Sequence, residues 1–379
     1  MIATVSRALG EKDADKIYEH STAAIFLSCL GFLLCLVLSR IIIGFYYNAQ
    51  KNMADVIGYG KTYLSISMEL SFGIFGQVLF ERFLIATGKT IYSMITQATG
   101  AIINIILDPI LIFGYFGFPE LGIAGAAIAT VTGQTAAFIL ALLFNLAKNK
   151  EIRIRFSVKV KFSAIKRILL VGIPTTLMSV VTSIMFIGYN TILGKFSSTA
   201  VAVFGICRSV TTFFYMLVRA FGSTLIPIIA YNFGTKNKER IISGIKLGFI
   251  YNCFIMIIGT ILFETATVPI LHLFNASDEM MSIGIIGIRM LTATFILAGI
   301  QNTASAIMQS LAYAVNSMVI ITVRNLVLLL PAAYLFSLTN NLTLVWFSVP
   351  VADGVASVVA IVLLLKVFNK EIKPLKNNV

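Results

Sequence analysis

A chain of 379 residues that is 58% hydrophobic and only 12% charged has too much apolar surface for a water-soluble core, since soluble domains carry about 25% charged residues. It reads as an all-α polytopic membrane protein. The net charge of +13 is spread between apolar runs rather than gathered on one solvated face, which argues against nucleic-acid binding and fits the excess of Lys and Arg in cytoplasmic loops. Cys29, Cys35, Cys207 and Cys253 lie in apolar runs without a CxxC or Cys/His grouping, so no disulfide or metal framework is indicated. The absence of a nucleophile–base pair or phosphate loop points away from an enzyme.

Residues 1–6 are a short apolar stretch and 6–16 a polar loop, and 1–20 lack the apolar core of a cleavable signal peptide. Apolar runs then follow that are long enough to span a bilayer, which takes about 20 residues each. They predict helices near 21–47, 57–83, 90–115 and 122–147, a basic connector at 148–167, and helices near 168–194, 200–230, 241–271, 281–310, 315–337 and 345–367. The expected architecture is therefore an N-terminal lobe of four helices over 1–147, the connector at 148–167, a C-terminal lobe of six helices over 168–368, and a polar tail at 369–379. Within the connector, 152–162 alternates apolar and polar residues. This is strand periodicity, read here as an extended segment on the cytoplasmic surface whose cations meet anionic headgroups.

With the N-terminal loop inside, 21 of the 29 Lys and Arg residues fall on the cytoplasmic side. This predicts that both termini are cytoplasmic, in a multi-pass protein of the cytoplasmic membrane. An internal repeat is also visible. Ala8-Leu-Gly-Glu-Lys-Asp13 matches Asn232-Phe-Gly-Thr-Lys-Asn237 at a spacing of 224, as do Gln77 with Gln301 and Ser93-Met94 with Ser317-Met318. Pro109 and Pro331 nearly keep that spacing. Both copies enter from the same side, so the repeats are parallel. The second copy carries two more helices before its Gly234 loop, over about 164–230, whereas the first copy starts at the matching loop.

Asn104 and Asp108 stand four apart in an apolar run, on one helix face. A carboxylate there is costly and should meet a cavity or a partner. Pro109 follows and removes a backbone donor, while the Gly- and Ala-rich run at 121–130 lets helices approach closely. Two readings follow: a site for Na⁺, which favours oxygen ligands, or for a proton; or an Asp-Pro helix break. Glu69 and Gln77 are read either as cavity lining or as hydrogen-bonded structure. Glu264, near the outer end of its helix, is expected to snorkel or to pair, with Arg289 as the candidate partner, and Asp353 to be structural. Arg208, Arg219, Arg289 and Arg324 lie within membrane runs of the second half, so each needs an anion, a carbonyl or water. Pro174, Pro227, Pro331 and Pro350 are candidate kinks, with Pro109, Pro174 and Pro331 as hinges.

Asn104-x3-Asp108-Pro109 and Gly125-Ala-Ala-Ile-Ala-Thr130 resemble the fifth and sixth helices of the multidrug and toxic compound extrusion (MATE) transporters, bacterial branch, and the resemblance runs through nearly all of the chain. It implies a monomeric secondary antiporter in the lipid bilayer that exports organic, mainly lipophilic cationic compounds by alternating access. It needs no cofactor beyond Na⁺ or H⁺, and Asp108, Asn104 and Thr130 form the cation-coupling site (Asp108 and Asn104 for Na⁺). Glu69, Gln77, Gln301, Asn302, Arg219 and Arg324 are the cavity candidates. The chain departs from the family in three places. Two helices expected before residue 1, with the acid of the first, are missing; 174–183 offers only Thr and Ser where some members have an acid; and Gln301 and Asn302 stand where others have the tenth-helix acid. Two alternatives therefore stay open: a flippase for lipid-linked polysaccharides, for which Arg219 and Arg324 speak, and an inactive truncated transporter.

Overall fold

In the computed structural model, which describes residues 1–48, 54–152 and 160–375, every regular element is helical. With no water in a bilayer, a spanning segment must satisfy its backbone internally, and a helix does so within one segment. The elements divide into two units, Met1–Ile168 and Leu169–Val379.

The first unit contains α1 (Ile2–Gly10), α2 (Ala14–Asn48), α3 (Ala54–Glu69), α4 (Phe72–Ala86), α5 (Thr90–Phe113) and α6 (Ile123–Lys148). The second contains α7 (Phe162–Leu193, whose first residues belong to the first unit), α8 (Ser198–Gly234), α9 (Lys238–Leu273), α10 (Asp278–Thr292), α11 (Phe295–Ser310), α12 (Ala314–Thr322), α13 (Leu330–Ser337) and α14 (Leu342–Val367). A π-helical stretch, Val323–Leu329, joins α12 to α13. Among the described residues eight helices are long and apolar enough to cross a membrane, and two bent pairs bring the spans to ten. Leu33, Val37, Ile41 and Ile105 are each more than half exposed, a pattern suited to lipid rather than water. The alternating connector residues 153–159 lie outside the described residues.

The bent pairs are the 57–83 and 281–310 runs, each expected as one helix. The first bends by 50° between Glu69 and Phe72, the second by 43° between Thr292 and Phe295. Neither break contains a proline. Ser71 donates to the carbonyl of Met68 at 2.7 Å, and the Thr294 hydroxyl leaves its helix for Asp353. Hydroxyl side chains that bond locally or sideways in this way loosen the helical ladder. The proposed hinge prolines act differently. Pro109 and Pro174 sit inside uninterrupted helices, and Pro331 follows the π-helical stretch. Pro269 acts on its own helix: three residues before it Ala266 departs from helical geometry (φ −109°, ψ 16°), where a proline disturbs the preceding turn.

The repeat recurs in the backbone. Lys12 and Lys236, Gly88 and Ala312, and Phe116 and Asn340 all have positive φ, each pair 224 apart. Asp13 and Asn237 share that spacing, and both cap the helix that follows, accepting from Lys16 N and Arg240 N at 3.0 Å. The positive φ values mark the turns that reverse the chain in each unit.

In the first unit, α5 and α6 pack at backbone distance. A Cβ on Gly125 would lie 2.3 Å from the Leu111 carbonyl oxygen, and one on Gly133 2.5 Å from that of Gly100. Gly125→Ala is therefore expected to push the pair apart and destabilise the protein by about 1–3 kcal/mol, the usual range for overpacking. Thermal unfolding of purified protein in detergent would measure it, and an unchanged melting temperature would show that the pair can separate freely.

Candidate functional site

This close pairing brings three residues together. The Asn104 amide donates to Asp108 Oδ1 at 3.2 Å and points toward Thr130 Oγ1 at 3.5 Å. The Thr130 hydroxyl donates in turn to the Ala126 carbonyl at 3.0 Å. Asp108 and Asn104 share a face of α5, and Thr130 comes from α6, so the site depends on the glycine contacts. All three are partly exposed, which leaves the carboxylate reachable. Pro109 has no N–H, so the carbonyl of Ile105 lacks an intrahelical donor. The cluster thus offers a carboxylate, an amide and a hydroxyl, whose oxygens suit a hard cation once the amide turns.

A second acid has the same local arrangement. Glu81 is 7% exposed. Its Oε1 accepts from Gln77 Nε2 at 2.9 Å and from Thr96 Oγ1 at 3.0 Å. Gln77 is therefore a partner of Glu81, not of Glu69. The signal was present: Gln77 and Glu81 have the amide-then-acid spacing of Asn104 and Asp108, but Glu81 stood beside Arg82 at what was read as a helix end. Glu69 instead pairs with Arg40 at 3.1 Å and is about one-third exposed. Glu81→Ala would leave the Gln77 amide short of an acceptor and Thr96 with the Ser93 carbonyl alone, 2.8 Å away. It is expected to cost about 1–3 kcal/mol, whereas Glu81→Gln should cost less because it keeps an acceptor; equal melting of the two variants would remove the hydrogen bonds from the account.

In the second unit, Asp353 on α14 is 1% exposed. Arg324 Nε contacts its Oδ1 at 2.5 Å, and the Thr294 hydroxyl donates to Oδ2 at 2.7 Å. Arg324 Nη1 also donates to Asn325 Oδ1 at 3.0 Å. Gln301 is buried and donates to the Asp353 carbonyl at 3.1 Å and to Ser357 Oγ at 3.0 Å. Asn302 turns back onto the Ala298 carbonyl at 2.8 Å. By sequence both are cavity candidates; in the structure Gln301 ties helices together and Asn302 closes on its own helix. Arg219 and Arg324 do line a cavity of about 290 Å³ within this unit. Arg289 pairs with Glu264 at 3.5 Å, as expected.

A family model described as MatE matches residues 1–110 and 174–335. The chain belongs to the MatE family. It is similar to the multidrug export protein MepA of Staphylococcus haemolyticus, with 26% identity over 368 residues that cover 97% of this chain and 80% of the relative. It is also similar to a probable multidrug resistance protein NorM of Thermotoga maritima, with 24% identity over 87% of this chain and 71% of the relative. Among solved structures, an outward-facing multidrug resistance MATE family transporter of the MOP superfamily superposes with a TM-score of 0.91 at 19% identity, covering 98% of this chain and 83% of that one. A MATE protein crystallised with MaL6 gives 0.91 at 20% identity, covering 98% and 84%. At this identity the structural likeness establishes the fold alone, a membrane-spanning helical one; the site rests on this chain's own residues.

Proposed function

We propose that this chain is a secondary exporter of small organic compounds in the cytoplasmic membrane, acting as a monomer with both termini inside. Export is driven by Na⁺ or H⁺ moving inward through the site at Asp108. The observation that carries the reading is the convergence of Asn104, Asp108 and Thr130 from two closely packed, apolar helices. A carboxylate there has a use as a cation site. The relatives named as multidrug exporters support the class of cargo.

The mechanism follows from linkage. Alternating access transports against a gradient only if ion and cargo favour different states, since a ligand of equal affinity for both shifts nothing. A proton needs only the Asp108 carboxylate. A Na⁺ also needs the Asn104 amide turned over, so that its oxygen replaces the Nδ2 that now faces Asp108. Two further acids of the first unit give little support to cationic cargo: Glu69 is held by Arg40 and Glu81 by Gln77 and Thr96.

The test is efflux of dyes from cells lacking other exporters, with anionic and cationic dyes in parallel. Cells expressing the chain should hold less of at least one dye than control cells, and Asp108→Asn should remove the difference. Equal dye content with and without the chain would overturn the reading.

A further inference from the structure

The cavity of the second unit is walled by three arginines, Arg208, Arg219 and Arg324. Among the described residues no carboxylate lines it. Asp353 neutralises Arg324 from behind the wall, through Nε, while itself 1% exposed. The Arg208 guanidinium carbon lies 3.3 Å from the Phe186 ring centre, a cation–π contact, and no carboxylate pairs with it among the described residues. Arg219 makes no ion pair or hydrogen bond through its guanidinium among the described residues. The wall therefore carries two cations that no carboxylate among the described residues balances, a field that repels a cationic cargo and concentrates an anionic one. Arginine presents planar donors that match a carboxylate or sulfonate.

The rest of the lining is aromatic. Phe186, Tyr189 and Tyr215 share the cavity with the arginines. Tyr189 is pinned by its hydroxyl to the Val345 carbonyl at 3.0 Å, so its ring is a fixed surface. About 290 Å³ is at the small end of ligand pockets, enough for a fused-ring body with a short acidic arm.

We infer that this cavity binds aromatic organic anions, held by Arg219 and Arg208 at the acidic group and by the aromatic wall at the ring. The inference names the cargo class of the proposed exporter and rests on that reading only for the step after binding.

The chain carries its own reporter. Its single tryptophan, Trp346, has its ring centre 6.1 Å from that of Tyr189 and 6.0 Å from that of Phe204, both in the cavity wall. The experiment is energy transfer from Trp346 to dansylglycine, an anion, or dansylcadaverine, a cation with the same ring system, using the purified full chain in detergent. Dansylglycine should give saturable transfer and dansylcadaverine little. Arg219→Gln should weaken dansylglycine binding about tenfold, as expected for a lost charge-assisted hydrogen bond. Arg219→Glu should shift the preference toward the cation, and unchanged melting temperatures would show that both variants fold. Equal or tighter binding of dansylcadaverine to the wild type, or no effect of Arg219→Gln, overturns the inference. So does binding of farnesyl phosphate without binding of dansylglycine, which would give the arginines to a lipid phosphate. In proteoliposomes, dansylglycine bound but never moved would sink the exporter reading and leave this inference standing. Movement of dansylcadaverine alone would do the reverse.

Discussion

Asp108→Asn is expected to leave a folded protein that no longer accumulates or expels cargo against a gradient. Asparagine keeps the size of the side chain and still offers an oxygen to the Asn104 amide, now 3.2 Å from Asp108 Oδ1, so the α5–α6 pair has no reason to open. What is lost is the group that binds a proton or the charge that attracts Na⁺. Coupling free energies of 1–3 kcal/mol correspond to roughly 5–150-fold between coupled and uncoupled states, and an ion-driven exporter sits toward the upper end. Coupled export by the variant should therefore fall to about a hundredth of the wild-type level, leaving cells that hold as much dye as the controls, with its melting temperature unchanged. Thr130→Val removes one oxygen of the cluster without touching the charge and should cost about tenfold, the equivalent of one hydrogen bond to a charged group. Efflux from cells, with protein levels matched by immunoblot, measures both. A variant at Asp108 that pumps like the wild type would move the coupling site elsewhere, with Glu81 next in line.

The second large effect concerns folding. Asp353→Ala removes the anion beside Arg324 Nε and the acceptor of the Thr294 hydroxyl. Breaking a buried pair from one side costs about 3–5 kcal/mol, because the remaining charge has no partner. The Arg324 side chain is 20% exposed through the cavity, which relieves part of that penalty and places the expectation near 3 kcal/mol. Replacing both partners with apolar residues, Asp353→Leu with Arg324→Met, should recover most of the loss, since a well-packed apolar pair is often neutral or better. Thermal unfolding of the two single variants, the double variant and the wild type closes the cycle. If Asp353→Ala melts with the wild type, the pair does not hold α14 to the stretch after α12.

Much of this fold was legible because a bilayer enforces simple rules. Run lengths predicted the spans, and the 224-residue spacing seen at Gln77 and Gln301 returned as paired left-handed residues at Lys12 and Lys236 and at Gly88 and Ala312. Asn104 and Asp108 were legible because one helix places them one turn apart, and Thr130 joined them through the family resemblance. What was not legible depends on neighbours. The bends at Ser71 and Thr294 come from hydroxyls whose partners decide whether a helix is kept, and hydropathy is blind to that choice. Glu69 was set beside Gln77 from sequence proximity, yet α2 supplies Arg40 for it. Gln301 repeats Gln77 in position but not in partner, since its amide meets a backbone carbonyl and a serine on α14. Asp353 was read as structural and Arg324 as either structural or cavity-lining; the structure gives Arg324 both places, on one side the buried acid and on the other the cavity.

The most direct test of the central claim is ion counterflow in proteoliposomes. Purified protein is reconstituted without any imposed ion gradient, cargo is loaded on one side, and the movement of ²²Na⁺ and of protons is followed as cargo runs down its gradient. Exchange through Asp108 predicts that one of the two ions moves opposite to the cargo in the wild type and that neither does in Asp108→Asn. Cargo movement with no counter-moving ion in the wild type, or the same counterflow in Asp108→Asn, would contradict it.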